Sequence, residues 1–271
     1  MRLTRLKHVG LKFCLMLLLL TIEYSASAGS LDEMAIISSG NFQSVIPEGK
    51  EGKLVKVDTY LLDRRPVTNR EFLDFTNANP QWRRNDAVGL FVDKSYLSHW
   101  QSAVELGPDV TEEQPVIHVS WFSATAYCEA RGARLPGWYE WEYAAAANET
   151  LPDARDDSSW RQKILNWYST PSNSPLAPVG QRPANYYGVH DLHGLVWEWV
   201  DDYNALLVAA DNREQGGADR IIFCGAGAIS MERKEDYAVL MRVAMLSSLE
   251  ASYTTRNLGF RCAAEILEHG Q

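Results

Sequence analysis

Apolar positions in this chain recur at two different periods. Val55, Val57, Thr59 and Leu61 alternate with Lys56 and Asp58, which predicts one half-buried strand over residues 54–61. Residues 34–42 predict another strand that enters a turn at Ser39-Gly40. Pro66-Val67-Thr68-Asn69 reads as a helix start, with Thr68 as N-cap and Glu71, Phe72 and Phe75 inside. Over residues 119–131 the period changes: Trp121, Ala124, Tyr127 and Cys128 share a helical face, Ser120 is placed to cap it and Gly132 to end it. Pro136 breaks the chain, and Trp138, Trp141 and Ala145 return at helical spacing over residues 138–147. Residues 239–245 and 259–263 are apolar enough to predict core strands. Gly and Pro are scattered as turn markers, with no internal repeat, low-complexity tract or long linker. That pattern predicts a single α+β domain rich in loops.

The first residues follow another logic. Arg2, Arg5, Lys7 and Lys12 precede an apolar run over 13–22, and Ala26-Ser27-Ala28 is a small-x-small cleavage site. Residues 1–28 therefore read as a signal peptide and residues 29–271 as the domain. The apolar run is too short to span a bilayer, and Cys14 lies inside it rather than after the cleavage site, so neither a membrane anchor nor a lipid anchor is expected. The expected location is the periplasm or outside the cell. Removing the leader takes away four basic residues and one acid and moves the net charge from −9 to −12. An acidic chain without a basic cluster is a poor partner for nucleic acid or anionic membranes.

Several chemistries lack their motif. The sequence has no phosphate-cradling Gly loop with Lys, no His-Glu-x-x-His helix and no Gly-x-Ser-x-Gly elbow. Glu140 and Glu142 stand two apart on a helix and so point apart, a poor acid–base pair. Asn148-Glu149-Thr150 fits a glycosylation acceptor in a source that glycosylates its exports. Aromatic residues make up 11% of the chain and serve either core packing or a ligand platform.

Five blocks in order carry a resemblance: Asp63 through Phe72; Pro115-Val116 with His118-Val119-Ser120-Trp121; Ala126-Tyr127-Cys128 with Arg134-Leu135-Pro136 and Glu140-Trp141-Glu142-Tyr143-Ala144; Gly188 through Trp199; and Asn257-Leu258-Gly259-Phe260-Arg261-Cys262. Together they resemble the formylglycine-generating, or sulfatase-modifying factor, family. The resemblance implies that family's loop-rich variant of the C-type lectin-like fold. It also implies a disulfide between Cys128 and Cys262, with Ala145 and Val243 at the positions of a second bridge that some members have. It implies calcium held by the Asp191 and Glu198 carboxylates and the Gly194 and Val196 carbonyls; a second calcium site would use Asn166.

The family's oxidase holds copper on two cysteines that would fall near Ser230 and Ala238, and this chain has no cysteine between Gly225 and Arg242. Copper(I) takes soft thiolates, for which a hydroxyl or a methyl is no substitute. Cys224 is then the unpaired thiol and the candidate catalytic residue; with His190, His193 or His118 it would make a copper or iron site if the fold brought them together. Phe223 to Ala228 resembles a group of exported relatives associated with copper nitrite reductase. The expected role is a maturation or accessory factor acting on a protein or peptide-derived partner. A calcium-scaffolded binding module using the surface around Trp197 and Trp199, and a divergent formylglycine oxidase, are the alternatives.

Overall fold

A computed structural model of the protein describes residues 31–45, 54–169, 175–204 and 236–266, with the side chains of 236–238 and 240 outside that description. The predicted leader, Cys224 and Ser230 all lie outside the described residues.

The strand read over 54–61 changes phase midway. In β3 (Val55–Val57) the odd positions are buried, whereas in β4 (Tyr60–Leu62) the even ones are. Asp58 and Thr59 lie between the two pieces, which enter different sheets, so Leu61 does not share the buried face of Val57. The first strand divides in the same way. β1 (Ala35–Ile37) pairs antiparallel with β4, Ala35 opposite Leu62, while β2 (Gly40–Phe42) pairs antiparallel with β3, Phe42 opposite Val55. Gly40 is required here because a Cβ would collide with the Tyr143 hydroxyl.

The helices sit close to their capping signals. In α1 (Asn69–Ala78) Thr68 and Glu71 form a reciprocal cap: Glu71 N donates to Thr68 Oγ1 at 3.2 Å and Thr68 N donates to Glu71 Oε2 at 2.8 Å. Ser120 and Ser123 do the same for α2 (Trp121–Ala130), and Gly132 leaves it at φ +70°. α3 (Trp138–Ala145) buries Trp138, Trp141 and Ala145 as expected, and α4 (Ser158–Ser169) follows. The apolar run 239–245 is helical rather than a strand: it lies in α5 (Asp236–Ser247), where Val243 and Leu246 are buried one turn apart and Met241 is exposed. A short apolar run cannot declare its period, and here helical spacing wins.

The second predicted core strand is also divided. β6 (Leu258–Gly259) pairs parallel with β5 (Trp197–Glu198), and β7 (Ala263–Glu265) joins the far edge of β4. The link Phe260–Cys262 thus crosses from one sheet to another through the centre. Phe260 meets Phe72 and Tyr127 there, with ring centres 5.9 and 5.3 Å away. The aromatic density is mainly core packing: Trp100, Trp138, Trp141 and Trp199 are all fully buried. Among the described residues no helix is long and apolar enough to cross a membrane.

Candidate functional site

The parallel register that sets Glu198 opposite Gly259 also carries Arg261 past the Glu198 side chain. Glu198 Oε1 accepts from Arg261 Nη2 at 2.7 Å; Oε2 accepts from Arg261 Nε at 2.9 Å and from Trp141 Nε1 at 2.8 Å. Arg261 donates further to the carbonyls of Asp63, at 3.1 Å, and His190, at 2.9 Å. Both partners of this ion pair are completely buried. Such a pair survives inside a protein only when its remaining donors and acceptors are filled, as they are here.

A second guanidinium lies beside the first. Arg242 of α5 places its guanidinium carbon 3.5 Å from the centre of the Trp141 ring and donates to the Glu198 carbonyl at 2.6 Å. Burial pulls it down to about 10, so it remains charged at neutral pH. A fully desolvated cation on an indole face is a strong form of cation–π contact. Glu142, on the neighbouring turn of α3, is buried against Ser44 and Val45 N, and burial pushes its carboxyl up to about 7. Glu140 faces away, capping Gly137 N at 2.7 Å and pairing with Arg134. The two glutamates therefore do point apart.

Cys128 and Cys262 form the disulfide that the resemblance implied. Asp63 secures its end, accepting from Cys262 N at 2.9 Å and from both Nη atoms of Arg131. The crosslink spans 134 residues, for which chain-entropy reasoning gives about 5 kcal/mol. Ala145 and Val243, at the positions of the other bridge, are buried apolar residues.

The segment expected to hold calcium contains two left-handed residues, Asp191 at φ +58° and Gly194 at φ +93°. Asp191 Oδ2 accepts from Gly180 N at 2.6 Å, and the Arg182 guanidinium lies against Gly194, donating to His193 O at 3.0 Å. Two carboxylates and two carbonyls on one short stretch are donors of the type calcium takes. The fit is limited at Glu198, whose oxygens already accept three N–H groups. Asn166 lies on the exposed side of α4, its Oδ1 accepting from Gln162.

The histidines go to different places. His190 Nδ1 lies 2.7 Å from Arg182 O, and His193 packs between Trp141 and Trp160, with Nε2 2.9 Å from Ala145 O. Burial pulls His193 down to about 4, so its ring is neutral at pH 7. The cavity shared by Glu142, His193, Trp160 and Ile164 is about 20 Å³, room for one water and not for a substrate. His118 turns away from both and faces His99, which the sequence did not mark. Among the described residues no three His, Cys, Asp or Glu side chains converge as a metal site. Of the two tryptophans expected at a binding surface, Trp199 is fully buried with its Nε1 on Val119 O at 3.0 Å. Trp197 is half-buried, against Trp167 and Tyr168. Asn148 of the glycosylation triplet is also buried, its Oδ1 accepting from Thr150 N and Leu151 N.

A loop-rich α+β domain, crosslinked at its waist and centred on a buried carboxylate–guanidinium pair, is a variant of the C-type lectin-like fold. The chain belongs to the sulfatase-modifying factor enzyme 1-like domain family, whose pattern matches residues 22–266. It is 29% identical over 260 residues to inactive C-alpha-formylglycine-generating enzyme 2 of Mus musculus, covering 80% of each chain. It is 27% identical over 288 residues to the formylglycine-generating enzyme of Thermomonospora curvata, covering 86% of this chain and 94% of that one. The crystal structure of CarF superposes with a TM-score of 0.49 at 15% identity, over 86% of this chain and 98% of that one. Relatives named as inactive and as active stand at nearly equal identity, so overall similarity does not assign activity.

Proposed function

We propose that this is an exported accessory factor that matures a protein or peptide-derived partner and is not a copper-dependent formylglycine oxidase of the standard kind. One observation carries the reading. The segment from Gly225 to Arg242 has no cysteine, so the two-thiolate copper site cannot be built there, while the surrounding scaffold is intact. The disulfide, the Glu198–Arg261 pair and the capped helices are all present among the described residues.

In the catalytic form of this proposal Cys224 is the reactive group and the chemistry is oxidative. In the binding form the domain presents a surface, and calcium on Asp191, Gly194, Val196 and Glu198 stiffens it, Glu198 being shared with Arg261. Supply of the purified protein with copper and a Cys-x-Pro-x-Arg peptide is expected to give no formylglycine by mass spectrometry; conversion would restore the oxidase reading. A deletion strain is expected to accumulate an unmatured partner. Rescue by wild type but not by Cys224→Ser selects the catalytic form, and rescue by both selects the binding form. Calcium is expected to raise Tm, and Asp191→Ala to abolish that rise.

A further inference from the structure

His99 and His118 lie with ring centres 5.3 Å apart and planes 32° apart, and the Nδ1 atom of each is buried without a hydrogen bond among the described residues. The tautomer of His99 follows from its neighbour. Asn69 donates through Nδ2 to the carbonyls of Thr111 and Gln114, which fixes its amide, and its Oδ1 accepts from Trp100 Nε1 at 3.0 Å. His99 Nε2 lies 3.4 Å from that same Oδ1 and must therefore carry the proton. The free lone pair of His99 is then on Nδ1, inside the protein, facing no donor. A buried acceptor with no protein partner leaves room for a water or a bound ion, and a second N–H held on an acceptor is how proteins orient an imidazole ligand.

The backbone supports the same reading. Leu97 is held at φ +47°, which a bulky side chain seldom adopts, and His118 at φ +54°, a left-handed conformation that histidine enters more readily. Leu97 N donates to His118 O at 2.9 Å, and His118 N donates to Thr255 O at 3.0 Å. A strained Leu97 and a left-handed His118, joined by one hydrogen bond, thus set the two rings against each other. Strain of this kind gathers at sites where geometry is being imposed.

We infer that His99 and His118 form a two-imidazole site for a soft monovalent d10 cation of the copper(I) class, separate from the Asp191–Glu198 segment. Charge and donor count select that class. Zinc and iron sites take three or more protein ligands, and no third His, Cys, Asp or Glu joins the pair among the described residues. Around the rings, Arg84 acts on His99, and Arg256 and Asp93 act on His118, two cations against one anion, which disfavours a divalent ion. Burial holds both rings in the neutral form a ligand needs.

Silver(I) is the probe, because it matches copper(I) in charge and softness and is not oxidised in air. The full chain carrying Cys14→Ser and Cys224→Ser, which removes competing thiols, is titrated and followed by imidazole 15N NMR. One equivalent is expected to shift the Nδ1 resonances of His99 and His118 together. His99→Phe and His118→Asn are each expected to weaken binding by about 100-fold; Asn is chosen because it tolerates positive φ. Unshifted rings, a shift confined to His190 or His193, or tighter binding of zinc than of silver would overturn the site. Tm of each variant confirms folding. A calcium-induced rise in Tm that persists in both variants would locate calcium elsewhere, so failure of the two metal readings can be told apart.

Discussion

The neighbourhood of Glu198 and the neighbourhood of His99 and His118 are both buried and polar, yet they are built in opposite ways. Around Glu198 each charge meets a partner: Arg261 takes both oxygens, Trp141 adds a third donor, and Arg242 rests on the Trp141 face. Around the histidine pair two ring nitrogens have no hydrogen bond among the described residues, and Leu97 beside them is strained. A filled network holds a fold together. Single unpaired atoms, Arg242 Nε and His193 Nδ1, occur near Glu198 as well; only at His99 and His118, among the described residues, do two unpaired ring nitrogens belong to facing imidazoles.

That contrast breaks first at its strongest point. Glu198→Gln leaves Arg261 buried without its counter-charge and is expected to cost about 3–5 kcal/mol in urea unfolding; a loss under about 1 kcal/mol would mean that the pair is not the anchor. Replacing Cys128 and Cys262 together by serine is expected to cost about 2–5 kcal/mol by releasing the long loop.

Glu142 sharpens the comparison, because it is buried like Glu198 but its oxygens accept from Ser44 and Val45 rather than from a guanidinium. Its folded value of about 7 lies above the ordinary 4.5, so its contribution is complete below pH 4.5 and is lost as pH rises toward 7. The swing is about 3 kcal/mol, and Glu142→Gln is expected to flatten that limb of the stability profile. His193 and His99 act with the opposite sign. Their folded values of about 4 and about 3 lie below 6.5, so stability present above pH 6.5 is lost as pH falls toward those values. A stability profile of the Glu142→Gln variant that is flat from pH 4.5 to 7 would count against the histidine contributions.

The capped helices give smaller effects. Thr68→Ala removes a reciprocal cap and is expected to cost about 1 kcal/mol, with Tm as the readout. Smallest of all, His118→Asn is expected to change stability by less than about 1 kcal/mol, since the ring nitrogen it deletes belongs to no filled network and Asn accepts the same backbone. A large loss there would make the histidine pair structural.

Much of this site was readable one residue at a time. Thr68, Ser120 and Gly132 mark helix ends through local chemistry, which needs no distant partner. The Cys128–Cys262 bridge and the importance of Glu198 came from resemblance, because pairing across 134 residues leaves no local trace. His99 carries no motif at all; only its 5.3 Å approach to His118 distinguishes it from any other histidine. The divided strand over 54–61 has a different cause from the apolar run that proved helical. The pattern over 54–61 assumes a constant phase, and the chain shifts phase at Asp58-Thr59 to enter a second sheet.

By itself, then, the sequence determined the family, the caps of α1 and α2, the acidic charge and the absence of two copper thiols, since each depends on residue identity or short-range spacing. Tertiary structure alone decided which charges neutralise one another, that 239–245 is helical, that Trp199 is core rather than surface, and that two distant histidines meet. These are outcomes of long-range packing: a side chain's partners, and therefore its charge state and its chemistry, are set by what the fold brings to within a few ångströms of it.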